Sequence, residues 1–313
     1  MNRVAASAKI NLFLEVLGKR ADGYHDIRSL MVPISLADEL TFEIRPDGAV
    51  DTEMDVGDLP EIVGVSLAES ADNLTTRAAR LLQQETGCRE GVRIRIVKHV
   101  PIGGGLGGGS SDAAATLVTL NRLWKTNLPP GRLLELAARL GSDIPGLVQG
   151  GAVAVEGTGD RVVPLLPAPK TGFPSWWMLV VSPGFSTSTR DIYERYKSRL
   201  TSAPESYNNI RSALLAGDVR LAADNLFNSL ETTVFDKYPL IRMLVLRLRA
   251  AGALGAMVSG SGSSIFALAS GEGHARELDR ALRGLAEGAI WSRVARTMPD
   301  SVMVAHDPLE VRV

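Results

Sequence analysis

The stretch Pro101-Ile-Gly-Gly-Gly-Leu-Gly-Gly-Gly-Ser-Ser111 governs how the rest of the chain is read. Six of the seven residues from Gly103 to Gly109 are glycine. Just upstream, Val92, Ile94 and Ile96 alternate with Arg93 and Arg95, the period of a half-buried strand. Just downstream, Ala113, Leu117, Leu120 and Trp124 share one face of a helix expected over 112–124. Glycine lets backbone approach a ligand closely and take positive φ. A helix start adds unpaired amides and the positive end of the peptide dipoles. A glycine run set between a strand and a helix is therefore a candidate phosphate cradle, whereas flexible linkers rarely sit there.

Several phosphate loops are excluded by spacing. A P-loop needs lysine directly after its last glycine, and Ser110 stands there. Gly103, Gly105 and Gly108 satisfy G-x-G-x-x-G, but a dinucleotide site also needs an acidic residue about twenty positions on. Leu123-Trp-Lys-Thr-Asn127 provides neither an acid nor a strand. The protein-kinase signatures are absent.

Working outward, Ile10, Leu12, Leu14 and Val16 alternate with Asn11, Phe13 and Glu15 as a strand. Asp22-Gly23 signals a turn before Tyr24 and His25. Pro129-Pro130 breaks the first helix, and Leu133, Leu136, Ala137 and Leu140 mark another, with Gly141 placed for a left-handed cap. Strands are expected at 152–156, 177–182 and 265–269. Pro239 opens a helix expected to carry Leu240, Leu244 and Leu248 on one face and Arg242 and Arg249 on the other, closed by Gly252. The segment 164–174 holds four prolines and one glycine and is the linker candidate. Strands and helices mix without strict alternation, which favours α+β over a doubly wound sheet, in two domains at 1–165 and 166–313.

Composition narrows the function. Of 313 residues, 45% are apolar and 22% charged, ordinary for a globular chain. Thirty-four Lys and Arg against 35 Asp and Glu leave no basic footprint for nucleic acid. Cys88 is the single cysteine, so no internal disulfide forms and a reducing cytoplasm fits. His25, His99, His274 and His306 are scattered without zinc spacing. No apolar run is long enough to cross a bilayer, and Lys9 and Glu15 interrupt any leader-like stretch.

Five segments in order resemble one family. Pro101 to Ala114 looks like the second motif of the GHMP kinases, which act on galactose, homoserine, mevalonate and phosphomevalonate. Ala8-Lys-Ile-Asn-Leu-Phe-Leu14, Arg20-Ala-Asp-Gly-Tyr-His25, Gly141-Ser-Asp-Ile-Pro145 and Gly260-Ser-Gly262 resemble that family's other segments. The likeness is strongest to the branch acting on a cytidine diphosphate of methylerythritol in isoprenoid synthesis. The resemblance implies the two-domain GHMP kinase fold: a ribosomal protein S5 domain 2-like N-terminal half that binds ATP and a ferredoxin-like α+β C-terminal half. It implies Asp143 as the base that takes the substrate hydroxyl's proton, and Lys9 beside it. A carboxylate next to an ammonium can accept a proton while the cation steadies the transferring phosphoryl group. It implies ATP contacts from Pro101, Gly103, Gly104, Gly105, Leu106, Gly107, Gly108, Gly109, Ser110 and Ser111. Substrate contacts fall to Asn11, Tyr24, His25, Thr189 and Tyr193, the two tyrosines lying beside the cytosine base. Mg2+ is implied near Ser110, with ATP as co-substrate and a monomer or homodimer acting on a small molecule. Two departures stand out: Gly146-Leu147 where phenylalanines are usual, and Arg190 where a small residue or proline is usual. A ligand sensor on the same fold can lose the acid–base pair, and this chain keeps both members.

Overall fold

A computed structural model describes residues 2–57, 59, 73–165, 175–197, 204–283 and 290–298. The chain opens with a long antiparallel hairpin, β1 (Asn2–Lys19) and β2 (His25–Arg45). At its turn the Asp22 carboxylate accepts from the Tyr24 amide at 3.0 Å. Then follow β3 (Val50–Asp55), α1 (Leu74–Thr86), β4 (Gly91–Val97), α2 (Gly108–Leu123), α3 (Pro130–Leu140) and α4 (Ile144–Gln149). β5 (Val153–Gly157) and β6 (Arg161–Pro164) form a second hairpin. β2 is long enough to serve two partners: residues 27–31 pair with β5 and residues 39–45 with β4.

The second half contributes β7 (Trp177–Ser182), α5 (Thr189–Arg195), α6 (Pro204–Ala216), α7 (Val219–Asp224), β8 (Phe227–Asn228) and α8 (Glu231–Lys237). It closes with α9 (Pro239–Ala250), β9 (Gly255–Val258), β10 (Ile265–Leu268), α10 (Glu272–Arg283) and β11 (Trp291–Arg296). Four of these strands make an antiparallel sheet in the order β11-β7-β10-β9, the ferredoxin-like arrangement. β8 leaves its own half and pairs in parallel with β1, extending the first sheet.

Three apolar clusters explain why these strands read as they do. Helices α1 to α4 cover one face of the first sheet through Leu40, Phe42, Ile94 and Ile96. The opposite face brings Ile10, Leu12, Val32 and Ile34 against Met178, Val180, Phe266 and Leu268 of the second sheet. The far face of that second sheet packs Leu179, Val181, Ile265 and Ala267 against Leu244, Leu248 and Leu278 of α9 and α10. β7 and β10 are thus buried on both faces, which is why their sequences are continuous apolar runs. Each such side chain contributes about 1.5–3 kcal/mol when fully buried.

Four expectations are amended. α2 begins at Gly108 and not at Asp112, because Gly107 sits at the N-cap with φ 71° and its carbonyl accepts from the Ser111 amide at 2.8 Å. Gly141 ends α3 in an extended conformation, φ 170° and ψ 158°, not a left-handed one. On α9 the buried stripe is Ile241, Leu244, Val245 and Leu248, while Leu240 is 39% exposed. Leu244 and Leu248 are buried as expected, and Ile241, three residues before Leu244, takes the place of Leu240 on the same stripe. The linker stretch falls outside the described residues from 166 to 174, while Pro164 completes β6, an edge strand where a missing amide is tolerated.

Candidate active site

The centre of β1 supplies a buried cation. Lys9 stands opposite Pro33, next to a register shift between Ser7 and Lys9, and its amide bonds the Leu106 carbonyl at 2.9 Å. This clasps the glycine loop to the strand. The Lys9 side chain is 4% exposed, and its Nζ lies 2.7 Å from Asn11 Oδ1 and 3.2 Å from Asp143 Oδ2. Asn11 Nδ2 donates to Ser29 Oγ at 2.8 Å, and Ser29 Oγ donates onward to the Phe13 carbonyl at 2.7 Å. Because an ammonium only donates, this chain of bonds fixes which way the Asn11 amide faces. A buried ammonium needs such partners to offset its lost hydration.

Asp143 sits at the start of α4 without capping it, so apart from its pairing with Lys9 its carboxylate faces the cleft, with its side chain 43% exposed. Its loop is held from behind. A methyl group placed on Gly159, in the β5–β6 turn, would lie 2.2 Å from the Ser142 carbonyl oxygen, so the two backbones are in direct contact. At the unusual Gly146-Leu147 pair, Leu147 is buried and Gly146 leaves room for the end of the Met31 side chain. The space behind Asp143 is therefore filled without an aromatic ring.

The glycine loop packs against a second glycine-rich turn, 259–264. Ser264 N donates to the Gly104 carbonyl at 2.9 Å, and Ser259 Oγ donates to the Gly105 carbonyl at 3.1 Å. Gly105 has φ 77°, and a Cβ there would meet Ser259 O at 2.4 Å and Gly262 O at 2.7 Å. Gly107 faces Lys9 instead: a Cβ would lie 3.0 Å from Lys9 Cγ. The second turn is braced by Asn228, whose Nδ2 donates to the Val258 and Gly260 carbonyls at 3.0 and 2.8 Å. Nothing in the local sequence marks Asn228; only the crossing of β8 to β1 brings it there.

In front of Asp143 opens a cleft of about 790 Å³, bordered by Tyr24, His25, Ser110, Asp143, Thr189 and Tyr193. The His25 and Tyr193 rings stand 5.2 Å apart at 42°. Burial, then the Lys19 charge, lowers the His25 pKa, favouring the neutral ring. Burial, with the Asp143 charge, pushes the Tyr193 hydroxyl up, so it remains a phenol. Ser188 caps α5, which aligns Thr189 and Tyr193 on one face, and Thr189 Oγ1 is 2.9 Å from Ser261 Oγ. Tyr24 is 65% exposed at the rim. Arg190 borders the cleft as an exposed side chain and pairs with Glu194 at 3.2 Å.

Of the remaining expected residues, Gly103 and Gly109 are exposed, while Asn11 and Gly104 are buried. Pro101 and Leu106 are buried, and Ser111 Oγ donates to the Ser7 carbonyl at 2.6 Å. Of the two serines only Ser110 faces the cleft. Lys19, Ser142 and Thr158 also border it; Thr158 lies in Gly157-Thr-Gly159-Asp160, a turn-rich run that could have drawn notice. Among the described residues no group of three or more His, Cys, Asp or Glu side chains is placed to hold a metal ion. Nor is any helix among them long and apolar enough to cross a membrane.

Comparison with known proteins agrees along the chain. The profile of the GHMP kinases N terminal domain matches residues 73–158, and that of the GHMP kinases C terminal region matches residues 210–287. The 4-diphosphocytidyl-2-C-methyl-D-erythritol kinase of Symbiobacterium thermophilum is 41% identical over 267 residues, covering 84% of this chain and 88% of its own. That of Pelotomaculum thermopropionicum is 38% identical over 288 residues, covering 92% and 96%. A crystal structure of 4-(cytidine 5'-diphospho)-2C-methyl-D-erythritol kinase superposes with a TM-score of 0.74 at 34% identity, over 95% of this chain and 100% of that one.

Proposed function

Since the chain belongs to the GHMP kinases, among the 4-diphosphocytidyl-2-C-methyl-D-erythritol kinases, we propose that its cleft moves the terminal phosphoryl group of ATP onto a hydroxyl of 4-diphosphocytidyl-2-C-methyl-D-erythritol, in the methylerythritol phosphate route to isoprenoids. The observation that carries this reading is the Lys9–Asp143 pair, 3.2 Å apart, with the lysine buried and the carboxylate open to the cleft. The substrate oxygen attacks the terminal phosphorus, its proton passes to Asp143, and the bond to the ADP oxygen breaks. Lys9 offsets the negative charge gathered around the transferring group. Such a reaction asks for positioning and charge balance more than covalent help.

The glycine loop and the first turn of α2 offer backbone amides to the nucleotide phosphates. Leu106 and Ser111 act in this reading by holding the loop, since their side chains face inward. Tyr193 and Tyr24 flank the cytosine, with His25 at its edge, while Asn11 and Thr189 address the substrate's hydroxyls and diphosphate. Mg2+ would be held beside the Ser110 hydroxyl with phosphate oxygens and water completing its shell, and it would neutralise phosphate charge. A cytoplasmic site of action suits a chain with a single cysteine. The deciding assay is ADP release with 4-diphosphocytidyl-2-C-methyl-D-erythritol against homoserine, mevalonate and galactose. Turnover with the cytidine substrate alone is expected; a preference for any of the other three refutes the reading.

A further inference from the structure

Beneath the glycine loop lies a buried group of three charges that the reaction does not use. Lys98, just past the end of β4, is 3% exposed at its side chain. Its Nζ bonds Asp38 Oδ2 of β2, and also Asp112 Oδ2 of α2 at 2.8 Å. Asp38 spends its other oxygen on backbone: Oδ1 accepts from the His99 and Val100 amides at 2.6 and 2.8 Å. Those amides lie immediately before Pro101, where the glycine loop begins. Asp112 lies in the second turn of the helix that ends the loop. Its Oδ1 is buried and has no hydrogen-bond partner.

Two carboxylates share one ammonium here, so once both are ionised the cluster carries one negative charge more than it balances. That surplus sits about one helical turn, roughly 6 Å along the axis, below the first amides of α2. Burial pushes the Asp112 carboxyl up to about 7, against the lowering effect of Lys98 and with Asp38 adding to the rise. For Lys98, burial works downward, yet Asp112 and Asp38 together hold its pKa raised, so the ammonium persists. We propose that this cluster sets the nucleotide affinity of the glycine loop: Asp38 and Lys98 position both loop ends against β2, while the surplus charge on Asp112 opposes the phosphates above it. The inference deepens the kinase reading and rests on it. All three are positioning residues; none borders the cleft.

The two carboxylates therefore have opposite effects, which a purely structural ion cluster would not show. Asp38→Asn keeps an acceptor for the two amides but places an amide group against the Lys98 ammonium, so the loop entrance shifts. At pH 8 it is expected to weaken binding of a non-hydrolysable ATP analogue about tenfold, with KM for the cytidine substrate unchanged. Asp112→Asn removes the surplus charge and leaves Lys98 balanced by Asp38. At the same pH it is expected to tighten the same analogue about three- to tenfold. Calorimetry on the full-length variants, with circular dichroism to confirm folding, reads both. If Asp38→Asn does not fold, Asp38→Glu carries the same expectation, because the charge stays while its reach changes. Both variants weakening the analogue together, or the KM of the cytidine substrate rising with Asp38→Asn, overturns the proposal. Wild-type protein that binds no nucleotide overturns the kinase reading as well, which separates the two failures.

Discussion

Replacing Gly105 by alanine tests whether the glycine loop is shaped by its neighbour as much as by its ligand. Gly105 has φ 77°, where alanine costs about 1–2 kcal/mol. The added Cβ would also lie 2.4 Å from Ser259 O and 2.7 Å from Gly262 O. Both are backbone atoms that no rotamer change can move aside. The turn 259–264 must retreat, stretching the Ser264 N–Gly104 O bond of 2.9 Å and the Ser259 Oγ–Gly105 O bond of 3.1 Å. At about 0.5–1.5 kcal/mol each, their loss brings the total to about 2–5 kcal/mol. That corresponds to a fall in Tm of about 4–10 °C for a chain of this size. Gly109→Ala is the control. It lies in the first turn of α2, its Cβ would find nothing nearer than Leu74 at 4.0 Å, and a helical alanine stabilises by about 0.5–1 kcal/mol. Thermal unfolding followed by circular dichroism distinguishes them. A Gly105→Ala Tm within about 1 °C of wild type, or an equal fall in Gly109→Ala, would refute the argument from close packing.

Three further outcomes are expected. Asp143→Asn keeps the shape but loses most of its proton-accepting power, so turnover should fall by about 10² to 10⁴ with nucleotide affinity nearly unchanged; near-normal turnover excludes it as the base. Tyr193→Ala removes a ring worth about 1–3 kcal/mol of stacking, so KM for the cytidine substrate should rise about five- to 150-fold while KM for ATP stays put; the reverse pattern would move Tyr193 to the ATP side. Asp112→Asn should change the pH profile of stability. With the native carboxyl raised from 3.8 to about 7, the folded wild type binds more protons than the unfolded chain between those values, so it loses stability as pH rises through them. The variant's Tm advantage should be small at about pH 4 and below, grow from there, and be full above about pH 7.5; an advantage independent of pH contradicts a buried surplus charge.

Local pattern made much of this fold legible. β4 announces itself by period two, β7 and β10 by unbroken apolar runs, and the glycine loop by composition. The start of α2 was hidden for a physical reason: glycine is a poor helix former, so propensity delays the helix to Asp112, yet the packing of Gly108 on Val100 and Asp38 begins it earlier. On α9 only the first position of the stripe differs, Ile241 for Leu240, because i−3 and i−4 neighbours of Leu244 are both compatible with one helix face. At the site, Lys9 and Asp143 are too far apart in sequence for spacing to pair them, and only resemblance suggested it. Asp38, Lys98 and Asp112 gave no signal at all, being 60 and 14 positions apart along different elements. The tight contact between Gly105 and the second turn was equally invisible. Composition alone supports a phosphate role for that glycine and says nothing of the carbonyls pressed against it.

The parallel pairing of β8 with β1 has a consequence for how the chain is made. During synthesis the first sheet can assemble from β1 to β6 once Pro164 has emerged, but the outer edge of β1 stays open until Phe227 and Asn228 arrive. At about 5–20 residues per second, that interval is on the order of 3–12 s. Met178 and Val180 emerge early in it, but Ile10, Leu12, Val32 and Ile34 still await Phe266 and Leu268, which arrive later and complete their cluster. A nascent chain stalled in this window would present an unpaired strand beside an uncovered apolar face, the combination that chaperones capture and that aggregation exploits. Slow codons placed between the two halves should therefore lower the yield of folded protein, whereas slow codons after β11 should not.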